Sequence, residues 1–181
     1  MEQLVRKLDP FPDFLENATQ MSGKIINFAK IAREVGVEVK TTQLYYLVLE
    51  ETYLGLRLPS FHNSIRKSQL VSPKFYLFDI RVKRALEQSL HGTAVPGNYY
   101  YGELFEHFVI LEFVRMNLYC ETDYRLSYFA TKEGAKIALV LSRGNESIFI
   151  EIKSSTSIDP AKVRKLGTIA GFHEIEPVDF R

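Results

Sequence analysis

Residues 102–119, GELFEHFVILEFVRMNLY, are apolar at helical spacing over about five turns. Three strand-like runs follow at once: TDYRLSYFAT, AKIALVLS and ESIFIEIKSS. A long apolar helix beside closely spaced apolar strands must share one core with them, because each element buries a single face or stripe. This order restricts the C-terminal part of the chain to a layered α/β (α+β) arrangement. The composition agrees, with 46% hydrophobic and 25% charged residues in 181, which excludes disorder and low complexity. A chain of this length buries roughly 70% of the surface that its unfolded form exposes. A lone cysteine, Cys120, forms no internal disulfide and fits a reducing compartment. No apolar run approaches the ~18 residues of a membrane span, and MEQLVRKLDP lacks the apolar centre of a secretory signal. The protein is therefore expected to be cytoplasmic.

Prolines and glycines divide the N-terminal part. The stretch after Pro12, DFLENATQMSG, reads as a helix closed by Gly23. IINFAKIAREVG reads as a second helix with Gly36 as its C-cap. A third helix begins at Thr41 or Thr42 as N-cap and continues through Leu44, Tyr45, Leu47, Val48 and Glu51. Helix, short glycine turn and helix, with one helix before them, is the helix-turn-helix order. Two short strands, YLGLRL and KFYLFDI, could pair as a wing. In such a module Lys40, Thr41, Thr42, Gln43 and Tyr46 would enter a major groove, and Arg66 and Lys67 would meet phosphate. Arg57, His62 and Lys74, with Phe61, complete that basic stretch, whereas Glu50 and Glu51 on the third helix repel phosphate. Lys+Arg is 23 and Asp+Glu is 22, a net charge of +1, so no dominant polyanion-binding surface covers the whole chain.

The segment IFIEIKSS carries the candidate chemistry. In a strand, Glu151 and Lys153 share one face about 6–7 Å apart, opposite Ile148, Ile150 and Ile152. A carboxylate can hold Mg²⁺ while a lysine orients or deprotonates the attacking water. The same pattern also describes a solvent-facing ion pair. Glu106, near the start of the long helix, is the second candidate ligand. Asp79, after an apolar strand, is expected to cap the helix over residues 80–90. His62, His91, His107 and His173 lack the spacing of a zinc site.

Helix carboxylate, hairpin and E-x-K together are the layout of the PD-(D/E)xK nuclease fold. The chain resembles the C-terminal region of predicted bacterial and archaeal AAA-type ATPases, in which a winged helix and a degenerate restriction-endonuclease-like domain follow a P-loop module. The matching stretches are KIAREVGVEVKTTQLYYLVLEETYLGLRLPSF, IRKSQLVSPKFYLFD, GELFEHFVILE, the TKEGAKIALVL hairpin and FIEIKSS. The resemblance implies a winged helix-turn-helix over residues 1–72. It implies a restriction-endonuclease-like lobe over 73–181, with a mixed central sheet flanked by helices. Asp79, Glu106, Glu151 and Lys153 match family positions, and Glu106 and Glu151 would be the metal ligands. The family's hairpin reads like G-x-E-V-D-F, but here both acids are replaced, by Lys136 and Ala138. No G-x-x-x-x-G-K-[ST] occurs, so the ATPase module is not in this chain.

Three functions are compatible with these residues. The first is a non-catalytic module recognising nucleic acid or a protein partner for an AAA-type ATPase. The second is a Mg²⁺- or Mn²⁺-dependent DNA nuclease using Glu106, Glu151 and Lys153, with Asp123 or Glu133 replacing the lost hairpin acid. The third is a ligand-free docking or oligomerisation scaffold.

Overall fold

The computed structural model describes residues 10–62, 71–131, 134, 136–155 and 167. Three helices come first: α1 (Pro10–Gln20), α2 (Phe28–Val35) and α3 (Val39–Glu51). An antiparallel hairpin follows, β1 (Gly55–Leu58) with β2 (Lys74–Leu77). Then come α4 (Ile80–Leu86), α5 (Tyr99–Tyr119) and the strands β3 (Arg125–Ala130), β4 (Lys136–Arg143) and β5 (Glu146–Ile150). The architecture is α+β.

Local chemistry sets most boundaries. The Asn27 side chain accepts from the Lys30 amide at 3.0 Å and starts α2. Gly36, at φ 72°, ends it in the left-handed region that glycine adopts without strain. The start of α3 differs from expectation. Thr41 and Thr42 are already inside the helix, and Glu38 precedes it with no side-chain cap bond. Asp79 caps α4 as expected, accepting from the Arg81 and Val82 amides at 2.6 and 3.1 Å. α5 begins earlier than the sequence predicted, because Asn98 accepts from the Tyr101 amide and draws Tyr99 and Tyr100 into the first turn. The helix expected after Pro160 lies outside the described residues, Gly167 excepted.

The hairpin β1–β2 stands between two apolar clusters. Alternation along β2 sends Phe75 and Leu77 into the first, with Phe14, Ile31, Tyr46 and Leu49. Tyr76 points the other way, into the second, with Leu58, Ile110, Tyr128, Leu139 and Leu141. Gly55 is required here, since a Cβ at that position would lie 2.3 Å from the Phe75 ring. The pairing of Leu58 with Lys74 joins strands from either side of the 72/73 boundary inferred from sequence.

The second sheet has the order β3-β4-β5, both pairs antiparallel, with a register shift between Ser127 and Phe129. The sequence predicted a mixed sheet. Among the described residues the parallel contact is the isolated bridge of Ser60 with Tyr128. α5 lays Ile110, with Phe105, Val109 and Phe113, against this sheet.

Candidate functional site

Glu106 lies in the second turn of α5, and Glu151 and Lys153 lie just past the last paired residue of β5. These regions meet at one end of the lobe: a Cβ on Gly102, one turn before Glu106, would be 3.5 Å from Ser154 Oγ. The carboxylates are nevertheless engaged within the protein. Glu106 Oε1 accepts from Lys74 Nζ at 2.8 Å and from the Tyr76 hydroxyl at 3.0 Å. Glu151 pairs with Lys153 through one oxygen, and its other oxygen accepts from the Ala138 amide at 3.3 Å. The sequence predicts Glu151 and Lys153 on one face of a strand; β5 ends at Ile150, and the two meet beyond it as this ion pair.

The position of the family's hairpin acid is Ala138, a buried apolar residue in the second cluster. Among the described residues no group of three His, Cys, Asp or Glu side chains could hold a metal ion. Asp123 does not supply the missing ligand. It follows the C-terminal end of α5, whereas Glu106 is near the N-terminal end, some 20 Å away at about 1.5 Å per residue. Glu133 lies outside the described residues. Mg²⁺ keeps near-octahedral oxygen coordination, usually with more than one carboxylate. Among the described residues, two carboxylates paired with ammonium groups and an alanine supply fewer oxygen ligands than that.

The expected nucleic-acid contacts divide. Lys40 and Gln43 are exposed on α3 and line a shallow groove with Leu44, Leu47 and Val71; Thr41 is half-buried. Thr42 and Tyr46 are corrected: both are fully buried. Tyr46 packs edge-on against Phe14, Phe28 and Phe75, with centroids 4.9, 5.7 and 4.9 Å away. The reason is the helix period, which places Thr42, Tyr45, Tyr46 and Leu49 on the stripe facing α1 and the hairpin. Burial pushes the Tyr46 hydroxyl well above its ordinary pKa, and that hydroxyl has no hydrogen-bond partner. Tyr46→Phe is therefore expected to leave any nucleic-acid binding unchanged. It should equal or exceed the wild type in stability, by up to about 1–2 kcal/mol in urea unfolding. Weaker binding at unchanged stability would return Tyr46 to the contact surface.

Arg66 and Lys67 lie outside the described residues. Arg57 and Lys74 are committed elsewhere: Arg57 to Glu50 through its guanidinium and its amide (3.2 Å), and Lys74 to Glu106. The sequence reading missed these pairings. One signal was available, because alternation puts Lys74 and Tyr76 on the same face of β2. His107, next to Glu106, is buried, and its Nε2 donates to the Leu77 carbonyl at 2.7 Å.

Two family models match the chain, both of them domains of unknown function. DUF8612 covers residues 2–90 and DUF4143 covers residues 101–177. The first match contains the three helices, the hairpin and α4; the second contains Glu106, Glu151 and Lys153. No curated protein and no solved structure matches. Among the described residues no helix is long and apolar enough to cross a membrane.

Proposed function

We propose that this chain is a non-catalytic recognition module that works with an AAA-type ATPase. The observation that carries this reading is the internal neutralisation of the nuclease-like site. Glu106 is held by Lys74, Glu151 by Lys153, and Ala138 stands where a third oxygen ligand is needed. DUF4143, the family whose model covers the second part, is often found in AAA-type ATPases, which supports the choice of partner class. The three helices with the β1–β2 hairpin support reading the first part as a winged helix-turn-helix.

The open side of α3 favours a protein over nucleic acid. Val39 and Leu47 are 41% and 37% exposed there, and Lys40 is accompanied by exposed Glu51. A surface that attracts phosphate carries a clear excess of cations. In a filter-binding titration at low salt, duplex DNA and RNA are expected to pass through unretained. Salt-sensitive retention would assign the nucleic-acid role instead.

The catalytic question has its own test. A ligand that binds only the folded state raises the melting temperature. Excess Mn²⁺ is expected to shift neither the wild type nor Glu151→Ala. A rise in the wild type that disappears in Glu151→Ala would mean that the E-x-K site holds metal, and the nuclease reading would replace this one.

A further inference from the structure

The surroundings of Lys74 are those of a cation receptor. Its side chain is 13% exposed, and that of Glu106 is 29% exposed. The ammonium lies 2.8 Å from Glu106 Oε1 and 3.4 Å from the Tyr76 hydroxyl oxygen. It also stands 6.0 Å from the centroid of the Tyr76 ring and 5.8 Å from that of Tyr128. A carboxylate, the Tyr76 phenol oxygen and the Tyr128 ring converging on one point attract a small cation. Both rings are themselves fixed. Tyr76 is fully buried and donates to Glu106 Oε1, and the Tyr128 hydroxyl donates to the Ser72 carbonyl at 2.7 Å. The receptor is thus preorganised by the second core and not by the lysine.

We infer that Glu106, Tyr76 and Tyr128 form a site for a small organic ammonium, which the chain fills with its own Lys74. This goes beyond the recognition role and shares with it only the Lys74–Glu106 pair, since it concerns neither α3 nor Glu151. An ammonium fits where a divalent ion does not. It asks for one carboxylate, a neutral oxygen and an aromatic ring, whereas Mg²⁺ asks for about six oxygens. The tethered cation also has a mechanical consequence. Lys74 belongs to β2 and Glu106 to α5, so the pair fastens the hairpin of the first part to the long helix of the second.

The test is chemical rescue. Lys74→Ala removes the tethered ammonium and leaves the receptor lined. Its melting temperature is expected to fall by about 5 °C or more. Ethylammonium chloride, compared with sodium chloride at equal ionic strength, should return about 3 °C of that loss. The wild type, whose site is filled, and Lys74→Ala/Glu106→Gln, whose carboxylate is gone, should show no such difference between the salts. The inference is overturned if Lys74→Ala responds no more than the wild type, or if the double variant responds equally. Should Lys74→Ala fail to fold, Lys74→Met keeps the aliphatic stem and allows a second reading. Glu106→Gln added to Lys74→Met must then leave the melting temperature unchanged or raise it, because it removes a carboxylate that has lost its cation. A further fall equal to that of Glu106→Gln alone would overturn the pairing. Neither result bears on the Mn²⁺ experiment with Glu151→Ala, so the two readings fail separately.

Discussion

Glu87→Ala is expected to cost about 3–5 kcal/mol of folding stability, the usual effect of leaving a buried charge without its partner. Lys83 is the stranded group. Its side chain is 4% exposed, and its ammonium lies 2.5 Å from Glu87 Oε1, one turn along. The other oxygen of Glu87 accepts from the Tyr100 hydroxyl at 2.8 Å, and Lys83 Nζ lies 5.3 Å from the Tyr100 ring. Removing the carboxylate leaves the ammonium the Tyr100 ring and no ion-pair partner among the described residues. The reverse change should be milder. Lys83→Met leaves Glu87 15% exposed, nearer to water and still bonded to Tyr100. Lys83→Met/Glu87→Gln should recover most of the loss, since it leaves no buried charge without a partner and the new amide oxygen can still accept from Tyr100. Urea unfolding of the three variants, with unchanged m-values, measures the effect. A Glu87→Ala loss below about 1 kcal/mol would mean that water reaches Lys83. The consequence reaches the candidate site, because the Tyr100 bond to Glu87 joins the end of α4 to the first turn of α5. Arg84 donates to the Ser89 carbonyl at 2.9 Å and the Leu90 carbonyl at 3.2 Å, which shapes the connection between the two helices.

What could be read in the sequence was what depends on near neighbours. Gly36 ends α2 and Asp79 starts α4 because each cap is a contact within a few residues. The Glu151–Lys153 pair is a contact between residues two apart, although both lie past the end of β5, and the loss of the hairpin acid at Ala138 is visible as a letter. What could not be read depends on contacts across the fold. Lys74 meets Glu106 across 32 residues, and alternation along β2 shows only that Lys74 shares a face with Tyr76, not which carboxylate it meets. Tyr46 was assigned to the wrong side of α3 because that helix carries apolar residues on more than one face. Leu47 and Val39 are exposed while Tyr45, Tyr46 and Leu49 are buried, so hydrophobicity did not choose the covered stripe. The aromatic packing from α1 and β2 chose it. The roles of Arg57 and Lys74 were misread for a related reason. A cation looks the same in a sequence whether it faces phosphate or an internal carboxylate.

Acidification supplies the other large effect, and it acts on the same junction. His107 sits on α5 beside Glu106, fully buried, and its ring packs 5.2 Å from that of Tyr76. Burial lowers its pKa from 6.5 to about 4. The hydrogen bond to the Leu77 carbonyl, Asp79 and Glu106 pull the other way, and Lys83 adds to the lowering. Nε2 donates to Leu77, so Nδ1 is the bare nitrogen, and it is buried without a partner. The unfolded chain therefore takes up this proton more readily than the folded one. Stability is complete above pH of about 6.5 and falls as pH drops toward 4, by about 1.4 kcal/mol per pH unit and about 3 kcal/mol in all. His107→Gln keeps an N–H for Leu77 and removes the titration. It should start less stable at neutral pH, through imperfect packing, yet lose much less between pH of about 6.5 and 5, where carboxylates are still ionised. Urea midpoints of both proteins across that interval decide the matter, and equal slopes would place the acid-sensitive group elsewhere. Protonation keeps the Nε2 bond to the Leu77 carbonyl and adds an N–H at the buried Nδ1, which has no acceptor, so the cost is that of an unpaired donor and a charge held in the apolar junction between β2 and α5.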